Sequence, residues 1–427
     1  MMTTFFYYKL NLCHRQCATQ DKDSQHQDTK PLRKTWSTSC LRAFEVKLGC
    51  GLSALGKNKV FLICSTAAII ALAFADRPAL KKVFEKDFHI GVALSHEQIF
   101  GKDTAATALI KAQFNSITSE NILKWEHVHP EPARYDFEPA DQFVALGEKH
   151  KMFIVGHTLV WHNQTPRWVF EDGAGKPATR DVLLQRMRDH IFTVVGRYKS
   201  RIHGWDVVNE AFEDDGSPRK TKWREIIGPD YVQKAFEFAR EADPKAELYY
   251  NDFNLWKKEK AEATVRLVRE LQAQGIRVDG IGEQGHWGLD YPSIAEADVA
   301  LQLFAQTGVK IMITELDVTA LPNPDDWSGG ADITKNVALR KHLNPYPEAL
   351  PDSMQQALAK RYAECFALFH KHRDKISRVT FWGVNDGQSW LNNWPVRGRT
   401  NYPLLFDRRY QPKPAFEAVI QTTIKSK

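Results

Sequence analysis

The stretch IHGWDVVNE, residues 202–210, decides the fold. Its apolar residues, including Val207 and Val208, are typical of a buried strand, because β-branched side chains favour strands. Asn209 and Glu210 follow without a turn, so an amide and a carboxylate emerge where the strand ends. Polar pairs in this position are typical of parallel sheets in which the carboxyl ends of the strands carry the functional groups.

Seven further segments have the same apolar character and complete a regular alternation. The predicted strands are HIGVAL (89–94), SITS (116–119), FIVGHTLV (153–160), ELYYNDFN (247–254), GIGEQGH (280–286), KIMITELDV (310–318) and RVTFWGVND (378–386). Amphipathic segments at helical spacing lie between them, for example at 261–275 and 351–372. Eight strands that alternate with helices predict an α/β fold, a (β/α)8 TIM barrel in a single catalytic domain.

The composition is that of a globular protein, with 43% hydrophobic and 26% charged residues. The net charge of +6 lies entirely in residues 1–75, which hold ten Lys and Arg against four Asp and Glu. Residues 76–427 are neutral, so they have no general electrostatic attraction for nucleic acid. Five of the six cysteines also precede residue 76, and no group of His and Cys has the spacing of metal ligands. We expect neither a metal nor a cofactor.

The segment KNKVFLICSTAAIIALAFADRP, residues 57–78, has the pattern of a secretory signal peptide. A basic start precedes an apolar run that is too short to span a bilayer comfortably, and an A-x-A site follows. We predict a signal peptide at 57–75 and secretion, to the periplasm or the cell exterior, after cleavage near Ala75. The mature domain would then be 76–427, without a stable membrane anchor. Residues 1–56 are predicted to be disordered or to precede the true translation start.

Polar and aromatic side chains follow nearly every predicted strand, and in a barrel all of these strand ends meet at one rim. Glu210 and Glu315 end the fourth and seventh strands. Such a pair suits glycoside hydrolysis, in which one carboxyl group protonates the leaving oxygen and the other attacks the anomeric carbon or activates water. Sugars need flat indoles for their apolar faces and directional partners for their hydroxyl groups, and the rim supplies both.

Four motifs in this order, GHTLVWHNQTP, WDVVNE, GIGEQGH and TELDV, closely resemble glycoside hydrolase family 10, the retaining endo-1,4-β-xylanases. The resemblance extends from about residue 86 to residue 422. WDVVNE and TELD are very specific together. The resemblance implies that Glu210 is the general acid/base and Glu315 the nucleophile of a double displacement on xylan and xylo-oligosaccharides.

The same resemblance implies roles for the residues around the carboxylates. Asn209 would bind the 2-hydroxyl of the sugar under attack, and Gln284 would lie beside Glu210. His286 would hydrogen-bond the nucleophile, with Asp317 on its other ring nitrogen. The remaining predicted substrate-binding residues are His157 and Trp161 in the cleavage subsite, Glu120, Asn121, Lys124 and Gln164 in the next glycone site, and Trp382 and Trp390 as a roof over both.

Other interpretations of the sequence stay open. The barrel could be another retaining β-1,4-glycanase that acts on cellulose or mixed-linkage glucan, or a non-catalytic carbohydrate-binding barrel. The loop WGVNDGQSWLNNWPVRGR departs from some relatives, which place an Arg directly after the second tryptophan, so the detail of the roof is open. The long loop 321–351 either shapes the aglycone subsites or is a solvated loop. A neutral barrel with an open groove is expected to be a monomer.

Overall fold

A computed structural model describes residues 78–324, 333 and 336–424. Within these residues nine strands form a closed parallel sheet: β1 His89–Leu94, β2 Ser116–Ser119, β3 Phe153–Val160, β4 Gly204–Asn209, β5 Glu247–Asp252, β6 Gly280–Glu283, β7 His286–Gly288, β8 Lys310–Thr319 and β9 Ile376–Phe381. Pairing of β6 with β8 and of β9 with β1 closes the barrel. Because β6 and β7 both pair with β8, they form one of the eight barrel positions.

Helices follow the strands and cover the outside of the sheet. The α-helices of the described part are Leu80–Val83, His96–Ile99, Thr104–Gln113, Trp125–Val128, Glu138–Lys149, Arg167–Phe170, Arg180–Arg197, Lys222–Ile227, Tyr231–Ala242, Lys258–Ala273, Ile294–Ala305, Asp352–Lys371 and Pro414–Ile424. Short 3-10 turns lie at Lys341–Leu343, Asp386–Gln388 and Trp390–Asn392. The predicted (β/α)8 barrel is confirmed.

The buried apolar residues of the described part form two clusters. The larger joins residues of the strands and the helices, and the smaller consists of Val155, Tyr249 and Met312. Close packing leaves no room for a side chain at Gly156, where an added Cβ would lie 2.1 Å from the Trp205 ring. Packing against Trp205 therefore restricts position 156 to glycine.

Four strands end earlier than the sequence predicted, because the backbone turns out of the extended conformation. The residues with positive φ at these points are Glu210 (φ 60°), Asn254 (φ 54°), Gly285 (φ 83°) and Gly383 (φ 132°). Gly285 divides the predicted sixth strand into β6 and β7. Glu210 and Gln284 therefore lie just beyond their strands, whereas Asn209 and Asn251 are still part of β4 and β5.

The predicted extension at 1–56 and signal peptide at 57–75 lie outside the described residues, as does part of the loop 321–351. In the part of the chain that the structure describes, no helix has the length and apolar character needed to cross a membrane.

Candidate active site

The two predicted catalytic carboxyl groups lie at the same rim of the barrel, and a chain of amides connects them. Glu210 and Glu315 are buried, with 3% and 4% of their surface exposed. The Asn251 amide donates to Glu315 Oε1 at 2.9 Å and to Asn209 Oδ1 at 2.9 Å. The Asn209 amide donates to Glu210 Oε1 at 3.2 Å. The carboxyl ends of β4, β5 and β8 thus form one hydrogen-bonded group.

Asn251 is a member of this group to which the sequence assigned no role beside the carboxylates. Strand β5 ends in Asn251-Asp252, as the WDVVNE segment ends in Asn209-Glu210. In the sheet, Asn251 pairs directly with Asn209. The repeated polar pair at two neighbouring strand ends was the signal that could have identified it.

His286 bridges two carboxylates on the β8 side of the site. Its Nε2 lies 3.1 Å from Glu315 Oε2, and its Nδ1 lies 3.0 Å from Asp317 Oδ1. Burial alone would lower the pKa of His286, but the neighbouring Asp317 and Glu315 carboxylates raise it to about 10. The ring is therefore an imidazolium at neutral pH and donates to both carboxylates. The Trp390 indole N–H donates to the other Asp317 oxygen at 2.8 Å.

The environments of the two carboxyl groups shift their pKa values in opposite directions. Burial raises the pKa of Glu210, and the charge of Glu315 adds to the rise, whereas Trp161 and Gln284 oppose it. Burial would also raise the pKa of Glu315, but the hydrogen bond from His286 and the neighbouring positive charges together overcome this, and the net pKa is lowered. At neutral pH the arrangement therefore favours a proton on Glu210 over one on Glu315. Gln284 contacts Glu210 Oε1 at 3.1 Å, where the sequence predicted it.

A second polar group lies on the β2 and β3 side of the rim. The Lys124 ammonium group donates to Asn121 Oδ1 at 3.0 Å and to Gln164 Oε1 at 2.9 Å, and lies 4.7 Å from the centre of the Trp161 ring. Burial lowers the pKa of Lys124 to about 8, and burial raises the pKa of Glu120 to about 7. The predicted glycone residues thus form one cluster of donors and acceptors beside an indole face.

Trp382 stands over the centre of the site. Its ring lies edge-on to His157 at 5.4 Å and to His286 at 6.3 Å, so it spans from the β3 side to the β7 side. His157 is held from below, because its Nδ1 lies 2.9 Å from Asp206 Oδ2. Asp206 was not predicted, although it belongs to the WDVVNE motif. Asp206 is buried, and its carboxylate fixes the ring that faces the cleft.

The last strand-end loop forms an aromatic pair that the sequence did not reveal. Trp390 stacks on Trp394 at 4.4 Å and also lies 4.8 Å from the His286 ring. The described end of the long loop packs on this segment, because the Val337 N–H donates to Pro395 O at 2.7 Å. That part of the long loop therefore packs against the segment that carries Trp394, and its relation to the aglycone subsites stays a prediction.

The described residues contain no group of three or more His, Cys, Asp or Glu side chains that could hold a metal ion. A (β/α)8 barrel with paired, oppositely shifted carboxyl groups among indoles and amides is the arrangement of a glycoside hydrolase. The sequence model of Glycosyl hydrolase family 10 matches residues 79–422, and the chain belongs to this family.

Similar proteins cover nearly the whole barrel. Endo-1,4-beta-xylanase A of Xylanibacter ruminicola is 47% identical over 352 residues, which are 82% of this chain and 95% of that protein. Endo-1,4-beta-xylanase of Geobacillus stearothermophilus is 43% identical over 80% of this chain and 98% of its own length. The solved structure of a GH10 endoxylanase retrieved from a sugarcane soil metagenome has a TM-score of 0.77 and 44% identity, and covers 81% of this chain and 100% of its own.

Proposed function

We propose that the protein is an endo-1,4-β-xylanase that cleaves xylan with retention of configuration, with Glu210 as general acid/base and Glu315 as nucleophile. The opposite pKa shifts of these two buried carboxyl groups carry the proposal. A raised pKa suits an acid that must start protonated, and a lowered pKa suits a nucleophile that must start ionised. Two similar proteins named endo-1,4-beta-xylanase support the substrate.

In the first step, the Glu315 carboxylate attacks the anomeric carbon and forms a glycosyl ester. The bond to the leaving sugar breaks, and its oxygen takes the proton of Glu210. Asn251 and His286 each donate to one oxygen of Glu315, so the carboxylate is held in one orientation for the attack. Orientation of this kind removes part of the entropic barrier to the reaction.

In the second step, Glu210 acts as the base. Esterification removes the charge of Glu315, and that charge had been raising the pKa of Glu210. The pKa of Glu210 therefore falls once the glycosyl-enzyme forms, so the same carboxylate can take a proton from water. The water attacks the anomeric carbon, the ester bond breaks, and Glu315 regains its charge.

The neutral amides and indoles around the carboxyl groups would hold the sugars. Asn209 lies between Glu210 and Asn251, where it can exchange a contact with Glu210 for one with the 2-hydroxyl of the bound sugar. Such a bond strengthens as the oxocarbenium-like transition state develops. The cluster around Lys124 would take the hydroxyl groups of the next glycone sugar, beside the Trp161 face.

Xylose lacks the hydroxymethyl group of glucose, and the room above the glycone sites would decide between the two sugars. Trp382 is 8% exposed and is packed against His157 and His286, so its ring has little freedom to move aside. This rigidity favours xylan over cellulose or mixed-linkage glucan. A non-catalytic barrel is disfavoured, since it would not need the opposite environments of Glu210 and Glu315.

The direct test is reducing-sugar release by the purified protein from glucuronoxylan and from carboxymethylcellulose, side by side. We expect rapid release of short xylo-oligosaccharides from xylan and little from the cellulose derivative. Equal or greater release from carboxymethylcellulose would support the other β-1,4-glycanase instead. No release from either, with binding to xylan retained, would support the carbohydrate-binding barrel.

We also propose that the enzyme is a secreted monomer whose mature chain begins near Asp76, on the basis of the signal-peptide pattern at 57–75. N-terminal sequencing of the native secreted protein tests the cleavage, and a mature chain that begins well before Asp76 would contradict it. Light scattering of the purified enzyme tests the monomer.

A further inference from the structure

The backbone at Glu210 has an unusual conformation that its own sequence does not explain. Its φ of 60° lies in the left-handed region, which residues with a side chain rarely adopt. Neighbouring structure must therefore impose this conformation. Since a relaxed backbone would re-aim the side chain, whatever imposes it also decides where the Glu210 carboxyl group points.

Three successive amides after β4 are held by three residues of β5. The Glu210 N–H donates to Asn251 O at 2.9 Å, and the Ala211 N–H donates to the Tyr250 hydroxyl oxygen at 3.1 Å. The next amide, that of Phe212, donates to Asp252 Oδ2 at 3.4 Å. The end of β5 thus determines the path of the backbone at and after Glu210.

Behind this contact lies a buried chain of polar groups that the proposed mechanism does not use. The Tyr250 hydroxyl donates to Asp252 Oδ2 at 2.6 Å, and Lys260 Nζ lies 2.8 Å from Asp252 Oδ1. All three side chains are fully buried. Replacement of buried ion pairs by apolar residues is often neutral or stabilising. A contribution to stability therefore explains the presence of the Lys260–Asp252 pair poorly.

The directions of these hydrogen bonds determine how the Tyr250 hydroxyl group is oriented. A phenol hydroxyl group can donate one hydrogen bond, and here it donates that bond to Asp252. The hydroxyl oxygen of Tyr250 is therefore left as an acceptor, and it faces the Ala211 N–H. Burial raises the pKa of Asp252, and the Lys260 ammonium group opposes this rise. Lys260 thus helps to keep Asp252 an acceptor.

We propose that Tyr250, oriented by Asp252 and Lys260, is a positioning residue that holds the Glu210 backbone in its left-handed conformation and so aims the acid/base carboxyl group at the leaving oxygen. The inference rests on the proposed role of Glu210. It predicts a selective defect, because only steps that need the proton of Glu210 depend on this aim.

Tyr250→Phe tests the proposal, because it keeps the ring and removes only the hydroxyl group, which accepts from Ala211 and donates to Asp252. Tyr249→Phe is a matched control, because Tyr249 is adjacent and equally buried, but its hydroxyl donates to Glu247 at 2.8 Å. kcat/KM is measured on xylotetraose, whose leaving sugar needs a proton, and on 2,4-dinitrophenyl β-xylobioside, whose phenolate leaves without one. Both measurements report the glycosylation step.

We expect Tyr250→Phe to lose about 10- to 100-fold in kcat/KM on xylotetraose, the cost of a displaced catalytic group, and less than about threefold on the aryl xylobioside. Tyr249→Phe should change neither by more than about threefold. Equal losses on both substrates, or no loss on xylotetraose, would overturn the proposal. If Tyr250→Phe does not fold, Asp252→Asn replaces it, because an asparagine amide donates to the hydroxyl and turns its proton toward Ala211.

The same assay separates failure of the inference from failure of the proposed function. A wild-type enzyme inactive on both substrates would refute the xylanase proposal, and the inference with it. Glu210→Ala should show the selective loss in stronger form. If Glu210→Ala loses activity equally on both substrates, the acid/base role of Glu210 is wrong. If Glu210→Ala is selective and Tyr250→Phe is not, only the positioning role is wrong.

Discussion

Substitution of His286 by Gln would test whether the positive charge of His286 stabilises the ionised form of Glu315. The imidazolium lies between Glu315 and Asp317 at 3.1 and 3.0 Å, and its pKa is about 10, against an ordinary value of 6.5. That difference corresponds to on the order of 5 kcal/mol of stabilisation of the charged ring. Gln keeps a donor near the nucleophile but removes the positive charge.

Two effects should follow in activity. Loss of a charged hydrogen bond costs about 1.5–3 kcal/mol, so kcat/KM at its optimum should fall about 10- to 150-fold. The pKa of Glu315 should rise without its cationic neighbour. Because the nucleophile must be ionised, the acidic limb of the kcat/KM profile should then move to higher pH. An unchanged acidic limb would refute the reasoning.

The stability of the variant is an independent test of the raised pKa of His286. The folded pKa of His286 is raised, so its contribution is fully present below pH 6.5 and is lost as pH rises through about 10. Urea unfolding should therefore show a large deficit for His286→Gln at pH 6 and a smaller one at pH 10. A deficit that does not vary with pH would contradict the assignment. His89→Gln is the control, because His89 is exposed at the start of β1, at the opposite end of the barrel.

Three further predictions follow from the same structure. Glu315→Ala should fold, as judged by circular dichroism, with essentially no turnover of xylan, and a tenth of normal activity would rule out its role as nucleophile. Glu283→Gln should raise the free energy of unfolding at pH 8 by about 3 kcal/mol and leave it nearly unchanged at pH 4. Burial raises the pKa of Glu283 to about 7, so above that pH the folded protein holds a buried carboxylate that the neutral Gln avoids. An equal effect at both pH values in urea unfolding would contradict this. Gly156→Ala should destabilise the barrel by about 1–3 kcal/mol in the same assay, because its Cβ would overlap the Trp205 ring, and wild-type stability would refute that packing argument.

The fold was readable from the sequence because strand and helix periods alternate clearly and each strand is bounded by polar residues. The exact ends of the strands were not readable. They depend on backbone turns at Glu210, Asn254 and Gly285, where φ is positive. In a sequence, glycine is the residue that indicates a turn with positive φ, and Glu210 and Asn254 are not glycines.

The carboxylates of the site were readable because the motifs name them directly, and His286 and Gln284 lie where the motifs placed them. Their supporting residues were hidden for a physical reason. The register of β5 against β4 places Asn251 beside Asn209 and Tyr250 beside the backbone after Glu210. Asn251 reaches Glu315 because β6 alone separates β5 from β8. Contacts set by register appear only when the strands are paired.

The stereochemistry of cleavage tests the central claim most directly. Xylohexaose is incubated with the enzyme, and the anomeric protons of the first products are followed by NMR before mutarotation. The proposed double displacement through Glu315 predicts that the β-anomer appears first and the α-anomer only as it equilibrates. Initial formation of the α-anomer would mean direct attack by water and would contradict the nucleophile role of Glu315.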